Sequence, residues 1–278
     1  LKRLLLIIPT LLCVAILIFT LMYFIPGDVA TLMLGTSATQ EELDAFRAVY
    51  GLDQSYMTRL STFLYNMVFH LDFGNSYSYG TSVMADLLSR FPYTVLIATI
   101  SIIISVIIGI PLGVSCAVRA NTIFDRASMV LSLVFASIPG FWLALMLIQL
   151  FSVKLGILPA FGFDSWQCYV LPCTANAMAA VATLARQTRA SMLEVIRADY
   201  VTTARAKGIA NLRVLYHHAL PNGLIPIITT VGTRFSALLG GTIVIETIYS
   251  IPGLGTYMTT AINKRDYPAV QGSIVFIA

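Results

Sequence analysis

Thr94-Val-Leu-Ile-Ala-Thr-Ile-Ser-Ile-Ile-Ile-Ser-Val-Ile-Ile-Gly-Ile-Pro-Leu-Gly-Val-Ser-Cys-Ala-Val118 runs without a single charged side chain. An apolar run of this length spans a bilayer as a helix, because only a helix satisfies its own backbone in hydrocarbon. The chain repeats the pattern. Apolar segments also occupy Leu4–Phe24, Ala127–Phe151, Tyr169–Ala185 and Gly223–Ile245, and a last one opens near Pro268. Leu4–Phe24, with about 21 residues, reaches roughly 32 Å, enough for a hydrocarbon core of about 30 Å. Composition agrees: 58% of residues are hydrophobic and 11% charged, against about a quarter charged in soluble domains. The expected fold is an all-α integral membrane protein with six transmembrane helices.

Two spans differ from the rest. Tyr169–Ala185 is short and rich in Ala and Thr, which suits close packing inside a bundle. The segment from Pro268 stops at Ala278 after about half a bilayer, so the last helix is expected to continue beyond this chain. Lys2 and Arg3 precede the first apolar run, which is longer than a signal-peptide core and lacks a small-residue cleavage site, so it reads as an uncleaved span.

Orientation follows from the positive-inside rule. Lys2 and Arg3, then Arg119 and Arg126 against Asp125, then Arg186, Arg189, Arg197, Arg205, Lys207 and Arg213 against Glu194 and Asp199 all fall on one side. That side is the cytoplasm, with both termini there. The basic residues are explained by topology, so nucleic acid is not an expected partner. The loop Ile25–Tyr93 falls outside, carrying Asp28, Glu41, Glu42, Asp44, Asp53, Asp72 and Asp86 against Arg47, Arg59 and Arg90. Thr39 as N-cap and an acidic first turn predict a helix over Gln40–Tyr50, ending at Gly51. Leu60, Phe63, Leu64, Met67 and Val68 give a second, amphipathic helix over Met57–Phe69. Division at residue 93 separates a first span with its external loop (1–93) from the remaining transmembrane unit (94–278).

Arg186–Leu220 is unusual for a connector. Ala190–Lys207 contains no Pro or Gly and favours helix. Gly208 ends it, and Asn211–Ala219 forms a second short helix before Pro221. Met192, Val195, Ile196, Tyr200, Val201, Leu212 and Val214 give this protrusion apolar surface that needs covering.

Thr202-Thr-Ala-Arg-Ala-Lys-Gly208, with Leu220-Pro221 beyond it, resembles the "EAA" loop of bacterial binding-protein-dependent ABC importer permeases. Ser191-Met-Leu-Glu-Val, Asp199-Tyr-Val, Gly240-Gly-Thr-Ile-Val-Ile-Glu-Thr-Ile-Tyr and Ile251-Pro-Gly-Leu-Gly255 narrow the resemblance to the peptide/nickel branch. So do Ile25-Pro-Gly-Asp28, Gly51-Leu-Asp53, Leu71-Asp-Phe-Gly-Asn-Ser76 and Arg265-Asp-Tyr-Pro268. Together these motifs cover nearly the whole chain in order. The resemblance implies half of a passive pore. Its partners would be a second similar permease, two cytoplasmic ATPases that bind ATP, an extracytoplasmic substrate-binding protein and the lipid bilayer; this chain itself would carry no cofactor. The loop would be a coupling helix between the fourth and fifth spans, with Tyr200, Thr202, Thr203, Ala204, Arg205, Lys207 and Gly208 at the ATPase contact. The name-giving Glu of the motif is Thr202 here, and its second Ala is Thr203 or Arg205. Cargo would be peptides, with nickel or a metal chelate the alternative.

Arg234 lies near the middle of its span, where a charge costs from about 2.5 kcal/mol upward. It either faces the translocation path, greeting a cargo carboxylate, or pairs with a carbonyl or the second permease. Glu246 ends the same span, as a gate or cargo contact or as a structural pair with a neighbouring helix. Pro111, Pro139 and Pro226 should kink their spans. The Cys168/Cys173 pair leaves a disulfide or metal pair open but has no accompanying His or carboxylate cluster. His217-His218 lies on the cytoplasmic side, wrong for cargo entry, His70 stands outside and alone, and no enzyme is expected. A phosphate-binding Gly-x-x-x-x-Gly-Lys-Ser/Thr loop does not occur, so the ATPase must be another chain. An ion-coupled secondary transporter, the rival from another class, would need carboxylates within its spans.

Overall fold

The computed structural model describes residues 2–35 and 37–278, with side chains from Leu6 onward. Every regular element among them is helical. The chain forms two compact units: Leu1–Tyr93 with Pro252–Ala278, and Thr94–Ile251. The sequence reading kept 252–278 with the second unit, whereas in space this stretch clusters with the first.

The first unit holds α1 (Lys2–Phe24), α2 (Val29–Leu34), α3 (Gln40–Val49), α4 (Tyr56–Tyr65, continued by a wide π turn to His70), the start of α5 (Val83–Val118), α12 (Leu254–Asn263) and α13 (Tyr267–Ile277). α3 begins where expected, with a reciprocal capping box: Glu42 N–H donates to Thr39 Oγ1, and Thr39 N–H to the Glu42 carboxylate. Met67 of the amphipathic stretch is buried with Phe73, Val83, Leu87, Tyr257 and Val270. Val68 points away and is 49% exposed. Asp266 joins two of the quoted motifs. Its buried carboxylate accepts Ser76 Oγ (2.5 Å) and the Tyr77 and Ser78 amides (3.1 Å each), fixing the 71–76 turn to the start of α13.

The second unit contains the rest of α5, α6 (Ile123–Ser137), α7 (Gly140–Leu147, continued by a π turn to Lys154), α8 (Gln167–Ile196), α9 (Asp199–Ala206), α10 (Asn211–Arg213, continued by a π turn to Ala219) and α11 (Leu220–Tyr249). α8 is the central element: 56% of its most apolar window is buried, against 17% for α1. The small residues of Tyr169–Ala185 do mark an interior helix, but it is not short. It extends from Gln167 to Ile196.

Two boundaries and the number of spans differ from the sequence reading. The expected third span is broken: α6 and α7 meet at 97°. Ile138 precedes Pro139 and is forced extended (φ −73°, ψ 125°), which stops α6 rather than merely kinking it. The expected single helix over Ala190–Lys207 is two, since α8 runs to Ile196 and Ala198 is extended (ψ 148°) before α9. That break turns Val201 and Ala204 onto Met192, Val114, Ala117, Val214 and Ala219, and this tertiary burial overrides local helix propensity. Last, where six spans are expected, four helices among the described residues are long and apolar enough to cross a membrane, five if α6–α7 counts as one span, with α13 a shorter apolar helix.

α5 lies along α8 on a row of small residues. Ser101 and Ser105 donate to the carbonyls of Cys173 and Ala177, each at 3.2 Å. Gly109 and Gly113 continue the row; a Cβ on Gly113 would stand 2.5 Å from the Ala185 carbonyl oxygen and from Thr188 Cβ. Backbones approach this closely only where side chains are absent or short.

Candidate coupling surface and cleft

The segment between α8 and α11 is a short helix, a glycine turn and a second short helix. Gly208 sits at φ +78° with open space around its Cα, and its N–H donates to the Arg205 carbonyl at 2.9 Å. A left-handed backbone is the reason for glycine there. Of the residues assigned to this contact, Ala204 faces the core, 7% exposed, while Tyr200, Thr202, Thr203, Arg205, Lys207 and Gly208 are exposed. α9 therefore has an inner face, Val201 and Ala204, and an outer face. Leu212 and Tyr216 extend the outer face with exposed apolar surface, and Arg213 adds charge.

Not every arginine of the basic segment contributes. Arg189 forms a two-pronged ion pair with Asp125 (2.5 and 2.7 Å), whose side chain is 2% exposed. The Asn121 amide donates to the same carboxylate at 2.9 Å. Arg186 donates to the Ser132 carbonyl at 3.2 Å. Both thus clamp α6 to α8. The positive charges left on the surface of this segment are Arg197, Arg205, Lys207 and Arg213, beside exposed Glu194 and Asp199. Sequence reading counted Asp125 and Arg189 as loop charges; their pairing, across 64 positions, leaves no local signal.

Arg234 lines a cleft of about 350 Å³ between α7, α8 and α11. Its walls are Gly140, Phe141, Ala175, Asn176, Ala179, Ala180, Ala237, Leu238, Gly241, Val244 and Ile245. The side-chain amide nitrogen of Asn176 is buried there with no hydrogen-bond partner. Asn176 was missed by the sequence reading, since a lone amide in an Ala-rich span carries no motif. Glu246 stands outside the cleft lining and is fully buried, accepting Thr94 Oγ1 at 2.7 Å. That bond ties α11 to α5. Tyr249, at the end of α11, donates to the Ala144 carbonyl of α7 at 3.1 Å.

Cys168 and Cys173 are free thiols on the first turns of α8. Among the described residues no cluster of three or more His, Cys, Asp or Glu side chains has the makings of a metal site.

Residues 109–278 match the family described as binding-protein-dependent transport system inner membrane component, and residues 1–98 match its N-terminal counterpart. The whole chain is 41% identical to a Brucella abortus (strain 2308) protein named as a peptide transport system permease, covering 90% of it. It is 40% identical, again over its whole length and 90% of the relative, to the glutathione transport system permease protein GsiC of Escherichia coli (strain K12). In fold it is similar to a chain of the MetNI methionine ABC transporter in an inward-facing form, with a TM-score of 0.57 at 21% identity over 70% of this chain and 88% of that one. The family is one of transport permeases rather than enzymes, and its members are multi-pass proteins of the inner membrane. With helices long enough to span and a matching domain at each end, this chain belongs to the inner-membrane permease components of binding-protein-dependent ABC importers.

Proposed function

We propose that this permease forms half of a peptide-conducting pore, paired with a second similar permease, two ATPases and an extracytoplasmic binding protein. Six spans are inferred, the broken α6–α7 being the third and α13 belonging to the sixth, with both termini cytoplasmic. Relatives named for peptide and glutathione transport support peptides as cargo over nickel.

The observation that carries the coupling role is the two-faced α9. Its outer face, with Tyr200, Thr202, Thr203, Arg205 and Lys207, is free to seat in an ATPase groove. Val201 and Ala204, the inner face, are packed on Met192 of α8 and on Val114 and Ala117 of α5. Close-packed side chains transmit displacement rather than absorb it. A push on α9 by closing ATPases is therefore delivered to two spans at once, and Gly208 sets the angle between α9 and α10. Arg234 is placed on the translocation path by this reading, and Glu246 holds α11 against α5 beside it.

The test is uptake of a labelled tripeptide into proteoliposomes holding the permease pair, the ATPases and the binding protein. Uptake should require ATP and stop without the ATPases. Uptake that persists on an ion gradient alone, without ATPase subunits, refutes the proposal.

A further inference from the structure

The cleft around Arg234 has a chemistry of its own. A guanidinium stands in the span α11, and among the described residues it has no ion-pair or hydrogen-bond partner. Such a charge inside a membrane segment is costly unless an anion or water meets it. Asn176 supplies a buried amide nitrogen, also unpartnered, to the same cleft. Gly140 and Phe141 open α7, whose N-cap Pro139 provides no side-chain acceptor, so the Phe141 amide, second in the helix, lacks the usual capping bond. A Cβ on Gly140 would meet nothing within 4 Å. Three kinds of donor thus border one space, and its remaining walls are largely small and apolar, Ala237 and Gly241 among them.

We propose that Arg234, Asn176 and the opening turn of α7 form a transient binding station for the C-terminal carboxylate of a peptide in transit. This deepens the peptide-import reading and rests on it. Small walls give little grip on differing side chains, whereas the terminal carboxylate is common to all peptides. A guanidinium with neighbouring N–H donors is suited to it. The volume lies near the low end of ligand sites, about 300–1,000 Å³, which fits a chain end rather than a whole peptide.

The experiment compares ATP-driven uptake of one tripeptide as free acid and as C-terminal amide, in proteoliposomes with wild type, Arg234→Gln, Arg234→Lys and Asn176→Asp. The binding protein is the same throughout, so its own preference cancels when acid-to-amide ratios are compared. Arg234→Gln and Asn176→Asp should lower that ratio about tenfold, the scale of one charge-assisted pair. Arg234→Lys should retain part of it. A second readout omits the binding protein: Ala237→Cys should react more slowly with a water-soluble thiol reagent when free-acid peptide is present, and amide should protect less. Acid and amide falling together in Arg234→Gln, or an unchanged ratio, overturns the station and makes Arg234 a packing residue. Absence of any peptide uptake by the wild type overturns the peptide reading itself, and this site with it.

Discussion

Asp28 and Arg47 show what single side chains do in the 25–82 loop. Asp28 caps α2, accepting the Thr31 amide at 3.0 Å, and pairs with Arg47 at 2.8 Å. Arg47 also reaches Asp44 at 2.6 Å. The Arg47 guanidinium, aided by Thr31, holds the Asp28 carboxyl down to about 2. An unfolded aspartate titrates near 3.9, so the stabilisation from this pair is complete above roughly pH 5 and drains as pH falls toward 2. Both groups are partly solvated, which keeps the effect small. Amide exchange over 28–49, corrected for intrinsic rate, should be flat from neutral pH to about 5 and rise below it. Asp28→Asn should raise it already at neutral pH; unaltered protection in that variant would contradict the pairing. Gly208 poses a different residue-scale question. Nothing crowds it, so Gly208→Ala costs only the left-handed backbone strain of ~1–2 kcal/mol. Gly208→Pro cannot adopt φ +78° and removes the bond to Arg205. The proline variant should insert in the membrane yet lose ATP-driven uptake, while alanine keeps most of it; full uptake in the proline variant would sink the role assigned to this turn.

Among elements, the α5–α8 seam carries the sharpest contrast. Gly113→Ala drives a methyl into the Ala185 carbonyl and Thr188, where backbone cannot yield, and should destabilise the unit by ~1–3 kcal/mol. Gly240→Ala, with nothing within 4 Å, should be neutral or gain up to ~1 kcal/mol from helix propensity. Denaturation of the isolated permease in detergent separates the two. The seam was readable in principle: Ser101, Ser105, Gly109 and Gly113 recur every fourth residue, the small-residue spacing of close helix pairs. Hydropathy marks the span, whereas the contact face lies only in the spacing of its small residues. The break between α8 and α9 was not readable, because nothing local at Arg197–Ala198 forbids helix. It exists so that Val201 and Ala204 reach the core. Pro139 signals a distortion in the sequence but not its size, since hydropathy averages across a 97° corner without registering it. The Arg234 cleft was half legible. A charge in an apolar run announces itself, whereas Asn176 and the α7 turn join it only through folding.

At the scale of the whole molecule, the question is whether α9 works as a lever or only as a seat. A seat needs the outer face alone; a lever also needs Val201 and Ala204 to be packed tightly against α8 and α5. The two functions sit on opposite faces of one short helix, so they separate by substitution. Arg205→Glu reverses an exposed charge on the outer face and should weaken assembly with the ATPases, lowering hydrolysis and uptake together. Val201→Ala leaves that face intact and opens space in a site that is fully buried. Buried truncations of this size cost on the order of 1–3 kcal/mol, small enough for the helix to stay in place while its base loosens. ATP hydrolysis by the assembled transporter should then remain within about twofold of wild type, while peptide delivered per ATP falls severalfold, as expected when tight packing no longer transmits the displacement. Measuring both rates in the same proteoliposomes decides the matter. Equal losses in hydrolysis and uptake for Val201→Ala would mean that α9 is held by its partner alone and that the inner face transmits nothing.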